Sequence, residues 1–420
     1  MRNKHDLLHF IRSIVAAWAT LLSSSALAGD WPQILGPQRN GRAESETLTK
    51  SWPTAGPKAL WRHEVGSGFA GVAVAGDACI VFHRQGDEAI AERLDAATGR
   101  PQWKQSFPTR YVSTIAPDSG PRCVPLIHDD CVYLFGADGD LHALALADGQ
   151  PRWSRELYRE YGAPDGYFGA GSSPLVEGEL LLVNVGGKDG YGLVALDLNS
   201  GKTMWNQTDE QASYSSPVAT TIGDQRMVVF VTRLNVVSVD PLTGAERFRF
   251  PYGSRGPTVN AANPLVVGDR LFVTASYGVG ARLAEISATG VEPVWENDDA
   301  ISSQYTTPIE HDGFLYGIHG RQDAGVAELR CVELATGAVR WSQPDFGTGN
   351  LIAAGDKLLI QKTSGELVLA KVDPERFIPL ATARVFPIGS VVQALPALAG
   401  GRLFVRDESE LIAVDVVSTY

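Results

Sequence analysis

Cysteine is scarce in this chain: four in 420 residues, none adjacent to another. Cys79, Cys123, Cys131 and Cys331 each lie inside an apolar run, so buried free thiols are expected even though an exported chain permits disulfides. No Cys or His spacing matches a zinc site, and no C-x-x-C-H marks a haem. Positive charge is also short. Thirty-six Lys and Arg face 48 Asp and Glu, a net −12, which argues against nucleic acid and anionic membrane surfaces as partners. The apolar stretch Ile14–Leu22 is too short to span a membrane. There is no G-x-S-x-G and no P-loop. The Gly-rich run at 186–192 joins two strands and not a strand to a helix, so it is not read as a phosphate cradle. Asp138-Gly139-Asp140 offers only a fragment of a calcium loop.

What is present begins with a targeting pattern. Arg2, Lys4 and Arg12 precede the apolar stretch, and Ala26-Leu27-Ala28 forms a small-residue cleavage site, so residues 1–28 read as a signal peptide. No Cys follows the cleavage site to carry a lipid anchor. A periplasmic or secreted, soluble product of net charge −14 is expected. Residues 29–57 are rich in Pro, Gly and polar side chains, with Trp31 and Trp52 as isolated anchors. They read as an extended arm laid on the remainder of the chain.

From residue 58 one phrase recurs. It ends at Trp103 (LDAATGRPQW), Trp153 (LALADGQPRW), Trp205 (LDLNSGKTMW) and Trp341 (VELATGAVRW), and one residue longer at Trp295. Phe248 fills the same slot, and Trp61 stands before the first full copy. The aromatics are 42 to 52 residues apart. Each repeat holds four short runs rich in Val, Leu and aromatics, separated by Gly, Asn and Asp turns. This predicts an all-β fold: an eight-bladed β-propeller of four-stranded antiparallel blades over 58–420. Two further copies without the aromatic, at Asp373 and Asp415, bring the count to eight. The eighth has no room for its last strand. The stretch 58–65, around Trp61, is expected to supply it and close the ring. The aromatics Trp61, Trp103, Trp153, Trp205, Phe248, Trp295 and Trp341 are expected to wedge between blades. The Asp of each phrase is expected to bond backbone N–H groups.

Strand polarity sorts the loops onto two faces. The A–B and C–D turns are short and uniform. The B–C and D–A loops are long and irregular, and binding residues belong on such loops. They carry Arg110, Tyr111, Lys188, Asp189, Tyr191, Arg255, Tyr277, Gln304, Tyr305, His319, Arg321, Gln322 and Asp323. Arg and Tyr suit carboxylate, sugar or peptide ligands. Each one alone is an ordinary solvated loop residue; together they favour a binding face at the channel mouth. The richest loop is His319–Asp323, with Arg321 as the expected anchor. His319 and Asp323 also offer a general base and its orienting acid, a pairing that arises readily by chance.

The phrase aliphatic-Asp-x-x-T-G-x-x-x-W resembles the pyrrolo-quinoline quinone (PQQ) repeat family, over about residues 58–416. Ser172–Pro174, Ser215–Pro217 and Thr306–Pro308 resemble its strand-A openings. The resemblance implies the propeller and leaves three functions open. One is a non-catalytic exported propeller binding a small molecule, glycan or protein, with no cofactor expected. Another is a dehydrogenase of alcohols or sugars that uses PQQ with Ca²⁺. The third is a subunit of a cell-envelope assembly complex. The family's dehydrogenases use an adjacent-cysteine ring, a Trp stacked on the quinone, and Ca²⁺ held by Glu, Asn and Asp. Adjacent cysteines are missing here, and every Trp of the repeats is committed to the blade-closing slot.

Overall fold

The computed structural model describes residues 29–116, 118–256 and 258–417, so the signal-peptide segment lies outside the described residues. Eight four-stranded sheets make up the fold, each antiparallel, and in seven of them strands A to D follow sequence order. Blade 1 shows the pattern: Ala73–Ala75, Ala78–Gln85, Glu88–Asp95 and Pro101–Pro108. Strand A is innermost, and A strands of adjacent blades meet. Strands B and C are buried on both faces, which is why they read as continuous apolar runs. Strand D is outermost and alternates exposed and half-buried residues. The last blade is closed from the N-terminal side. Ala59–Glu64 pairs antiparallel with Glu410–Asp415, with Trp61 opposite Ala413, and leaves no blade one strand short.

The repeated phrase builds the seams between blades. The Trp205 indole N–H donates to Pro241 O of the next blade at 2.9 Å, and its ring lies on Gly244, where a Cβ would meet it at 2.6 Å. Gly244 has φ +72°, so both the backbone and the ring require glycine. Trp61, Trp103 and Trp153 repeat this on Ala96 and Gly99, Leu146 and Gly149, and Leu198 and Gly201. Trp295 does so on Leu334 and Gly337, and Trp341 donates to Asp373 O. Trp61 and Phe248 are buried, whereas the other five are half-buried. The aspartates fasten the turn under each ring: Asp95 accepts Thr98 N–H and Asp197 accepts Ser200 N–H, both at 2.8 Å.

Two seams lack the indole, and each departure has a partner. The Phe248 ring has no N–H to donate, and the C–D turn it faces has Ile286 in place of Asp and lacks a left-handed glycine; Phe248 and Ile286 share one apolar cluster. In blade 7, Ala381 takes the slot opposite Leu369 that Trp341 takes opposite Cys331. There the arm intervenes. Thr49 N–H donates to Val416 O at 2.9 Å, the carbonyl just after Asp415, and Trp52 is buried with Ala383 and Val416.

Around half of the channel, the residue before a strand-A proline accepts an N–H from the preceding blade. Val124 N–H donates to Ser173 Oγ, Ser173 N–H to Ser216 Oγ, and Ser216 N–H to Asn263 Oδ1, each at 2.8 Å; Asn263 N–H donates to Thr307 Oγ1 at 2.9 Å. This belt satisfies the inner edge of strands that have no neighbouring strand there. The arm enters the channel from the A–B-turn end. Trp31 pairs with Val74, and Pro32 O accepts Ile127 N–H. Ile34 and Leu35 pack on Val124 and Leu395. Arg39, 3% exposed, donates to the carbonyls of Ser173, Pro174 and Pro217. Arg42 then pairs with Ala353 and donates to Glu310 O. Left-handed Leu35, Gly36, Arg39 and Gly41 make the reversal that lets one short segment touch strands on both sides of the channel.

Candidate binding face at the channel mouth

The long loops gather on the end of the channel away from the arm. The sequence-predicted residues fall there into two groups. In the first, Arg321 ion-pairs with Asp323 through two contacts and lies 4.1 Å over the Tyr277 ring. Gln304 Nε2 donates to the Tyr277 hydroxyl at 2.9 Å and to Asp323 at 3.2 Å, and Gln304 Oε1 accepts Gln322 N–H. Tyr305 donates to Gln322 Oε1, which also accepts from Gln393 at 2.7 Å. Burial pushes the Tyr305 hydroxyl up to about 12, so it is a donor at any ordinary pH. Arg321, the expected anchor, therefore has its charge met within its own loop.

His319 does not join that network. Its Nδ1 accepts Ser302 N–H at 3.1 Å, and Asp323 is turned to Arg321 and Gln304, so the base-and-acid pairing is not formed. Burial, then the nearby Arg330, lowers the His319 pKa and favours the neutral imidazole. The second group lies over blade 3. Tyr191 stacks on Tyr161 at 4.4 Å, while Lys188 and Asp189 are exposed on the same loop, Asp189 in a left-handed turn. Tyr111 is buried, its carbonyl taken by Arg84, whereas Arg110 and Arg255 stand exposed on separate links.

Apart from Tyr305, sequence reasoning missed the residues that ring the mouth itself. Two positions before the inner belt, the chain places Arg122, Tyr214, Tyr305 and Gln393. Phe69 occupies the equivalent place in blade 1. The Arg122 guanidinium sits 5.4 Å from the Phe69 centroid and 5.5 Å from that of Phe168. Phe168 meets Tyr214 edge-on at 5.4 Å, and the Tyr214 hydroxyl accepts the N–H of Tyr167 and of Phe168. The rim is thus an aromatic arc with one arginine, facing an arc of amides and a hydroxyl. The available signal was the fixed offset from each strand-A proline, visible only once those prolines are aligned. Beside this rim, four aliphatic side chains stand in solvent: Val112 (69% exposed), Ile115 (58%), Ile388 (88%) and Val391 (42%).

The opposite end is different. There the arm walls two cavities, of about 310 Å³ (Gln38–Asn40 against Val218–Thr220 and Pro264–Val266) and about 220 Å³. A quinone with Ca²⁺ does not fit the residues present at the mouth. Its rim is Phe, Tyr, Gln and Arg, the cysteines are free and buried, and the repeat tryptophans fill blade seams. Among the described residues, no three His, Cys, Asp or Glu gather as metal ligands, and no helix is long and apolar enough to cross a membrane.

A family model described as outer membrane protein assembly factor BamB matches residues 47–168 and 94–343. The chain belongs to this family. It is 22% identical over 298 residues to the assembly factor BamB of Yersinia pestis, covering 66% of each chain. To that of Burkholderia pseudomallei it is 24% identical over 345 residues, 70% of this chain and 85% of the relative. Among solved structures, BamB from Moraxella catarrhalis superposes with a TM-score of 0.62 at 17% identity, covering 86% of this chain and 98% of that one. A europium-containing methanol dehydrogenase gives 0.68 at 11% identity, covering 90% and 89%. Likenesses this distant establish the fold that the family shares with quinoproteins.

Proposed function

We propose that this propeller is a non-catalytic binding scaffold of the cell envelope, and that a protein partner docks on the B–C and D–A loops at the open channel mouth. The family supports an envelope assembly role. One observation carries the choice of face: the chain's own arm fills the channel from the A–B end, with Ile34, Leu35 and Arg39 buried in it, leaving one mouth open. Four exposed aliphatic residues, on the links either side of the one joining blades 8 and 1, are the kind of surface a protein covers. A photo-crosslinker placed at Ile388 or Val112 should join one defined envelope protein, whereas the same probe at Leu242, 69% exposed in a C–D turn, should not. Equal crosslinking from both faces, or from Leu242 alone, would move the interface to the arm side and its cavities.

A further inference from the structure

We infer that Arg122 is a recognition point for a carboxylate carried by whatever binds this mouth. The inference rests on the binding-face reading and adds the chemistry of the ligand. Arg122 is half-buried, with Phe69 and Phe168 ranged along its guanidinium. Nη1 donates to Gly120 O and Nη2 to Asp118 O, both at 3.1 Å. Those acceptors are neutral carbonyls of its own link, and they leave three of five N–H groups for a ligand. The aromatic neighbours fix the fork without neutralising it, because a cation–π contact orients the guanidinium plane but accepts no hydrogen bond.

Other guanidiniums on this face are already answered. Arg321, Arg155, Arg249, Arg282 and Arg330 each pair with a carboxylate. Arg233 spends its donors on Ser254, Gly256 and Thr258. Arg110 and Arg255 are exposed without a platform. The acid of its own link, Asp118, is 3% exposed and accepts the N–H of Gly68 and Gly120, with the buried Arg406 as its opposing charge. It is therefore committed to the link and does not cap Arg122. On the adjoining lead-in segments, the Ser172 and Ser215 hydroxyls, 2% and 1% exposed, have no hydrogen-bond partner. The mouth thus offers a pre-oriented fork and aromatic surface. That set suits a carboxylate on a partly apolar ligand, from either an acidic side chain of a polypeptide or a free organic acid.

Titration calorimetry on the full chain tests this with four probes: acetyl-Phe-Glu-Phe-amide, its Gln counterpart, phenylacetate and phenylacetamide. Each acid should bind at least tenfold tighter than its amide, and more weakly as salt rises. Arg122→Gln should abolish the difference, and Arg122→Lys, which keeps the charge and loses the fork, should restore little of it. Both variants are accepted only if their melting temperature is unchanged; Phe168→Ala provides an independent loss of orientation. A tighter peptide assigns the carboxylate to a polypeptide, and a tighter phenylacetate to a free acid. Equal binding of acid and amide, full binding by Arg122→Gln, or no binding of either acid overturns the inference. In the first two cases, loss of binding on Val112→Asp and Ile388→Asp leaves the face reading standing.

Discussion

Asp140 and His142 lie two residues apart on strand C of blade 2, the strand Asp140–Ala145, yet burial displaces their protons in opposite senses. Burial, then the neighbouring Asp138 and Glu156, pushes the Asp140 carboxyl up to about 7. Burial lowers His142, stacked on Phe107 at 3.8 Å, to about 4. A raised carboxyl binds its proton more tightly in the folded state, so its contribution to stability grows as pH falls from about 7 towards its unfolded value of 3.8. A lowered imidazole binds its proton less tightly when folded, so stability is lost as pH falls from 6.5 to about 4. The His142 loss is on the order of 3 kcal/mol at full displacement. The two oppose each other across one window. In urea titrations between pH 7 and pH 4, Asp140→Asn should lose more stability on acidification than the wild type, and His142→Gln less. Asp140→Asn should also be the more stable protein at pH 7.5, having shed a disfavoured buried charge. Parallel pH profiles for all three proteins would mean that neither group is displaced by its surroundings.

At the scale of elements, five of the eight seams are held by one indole, one carbonyl and one glycine, and the arm lies at the seam that lacks the aromatic. Gly244→Ala should cost roughly 2–4 kcal/mol, from a left-handed backbone position and a methyl driven into the Trp205 ring. Trp52→Ala should cost about 3 kcal/mol although it lies outside every strand, because its ring is buried in the apolar cluster that Ala383 and Val416 share. Chemical denaturation measures both. A Trp52→Ala loss below about 1 kcal/mol would show that Thr49 N–H alone seals that seam.

At the scale of the molecule, the ring is closed by a strand from the far end of the sequence. The closure has more than backbone pairing: His63 of that strand lies 3.0 Å from Glu92 in blade 1, which also meets His83 at 3.0 Å. Deleting residues 58–65 removes the fourth strand of blade 8 together with this contact. The truncated chain should associate through the bared edge of Glu410–Asp415 and lose its single cooperative melt, by light scattering and calorimetry. A monomer with an unchanged melt would mean that closure depends on the arm alone.

The propeller was legible in the sequence because its signals are local and repeated. Turn glycines, strand runs and the T-G-x-x-x-W phrase recur, and the missing strand could be found by count. The division into a uniform and an irregular face followed from strand polarity alone. The state of each side chain on that face was not legible, because it depends on which links the ring brings side by side. Arg321 looks free in the sequence, but Asp323 and Tyr277 occupy it. Arg122 looks like an ordinary loop cation until Phe69, 53 residues earlier, and Phe168, 46 residues later, are seen beside it. Trp31 and Trp52 were visible as anchors, but only the closed ring showed what they anchor to: the channel's inner strands and the seam of blades 7 and 8. Composition and period determined the architecture because each blade repeats the same packing problem. Tertiary structure decided the site because charge pairing and pre-orientation are set by neighbours that the sequence keeps far apart.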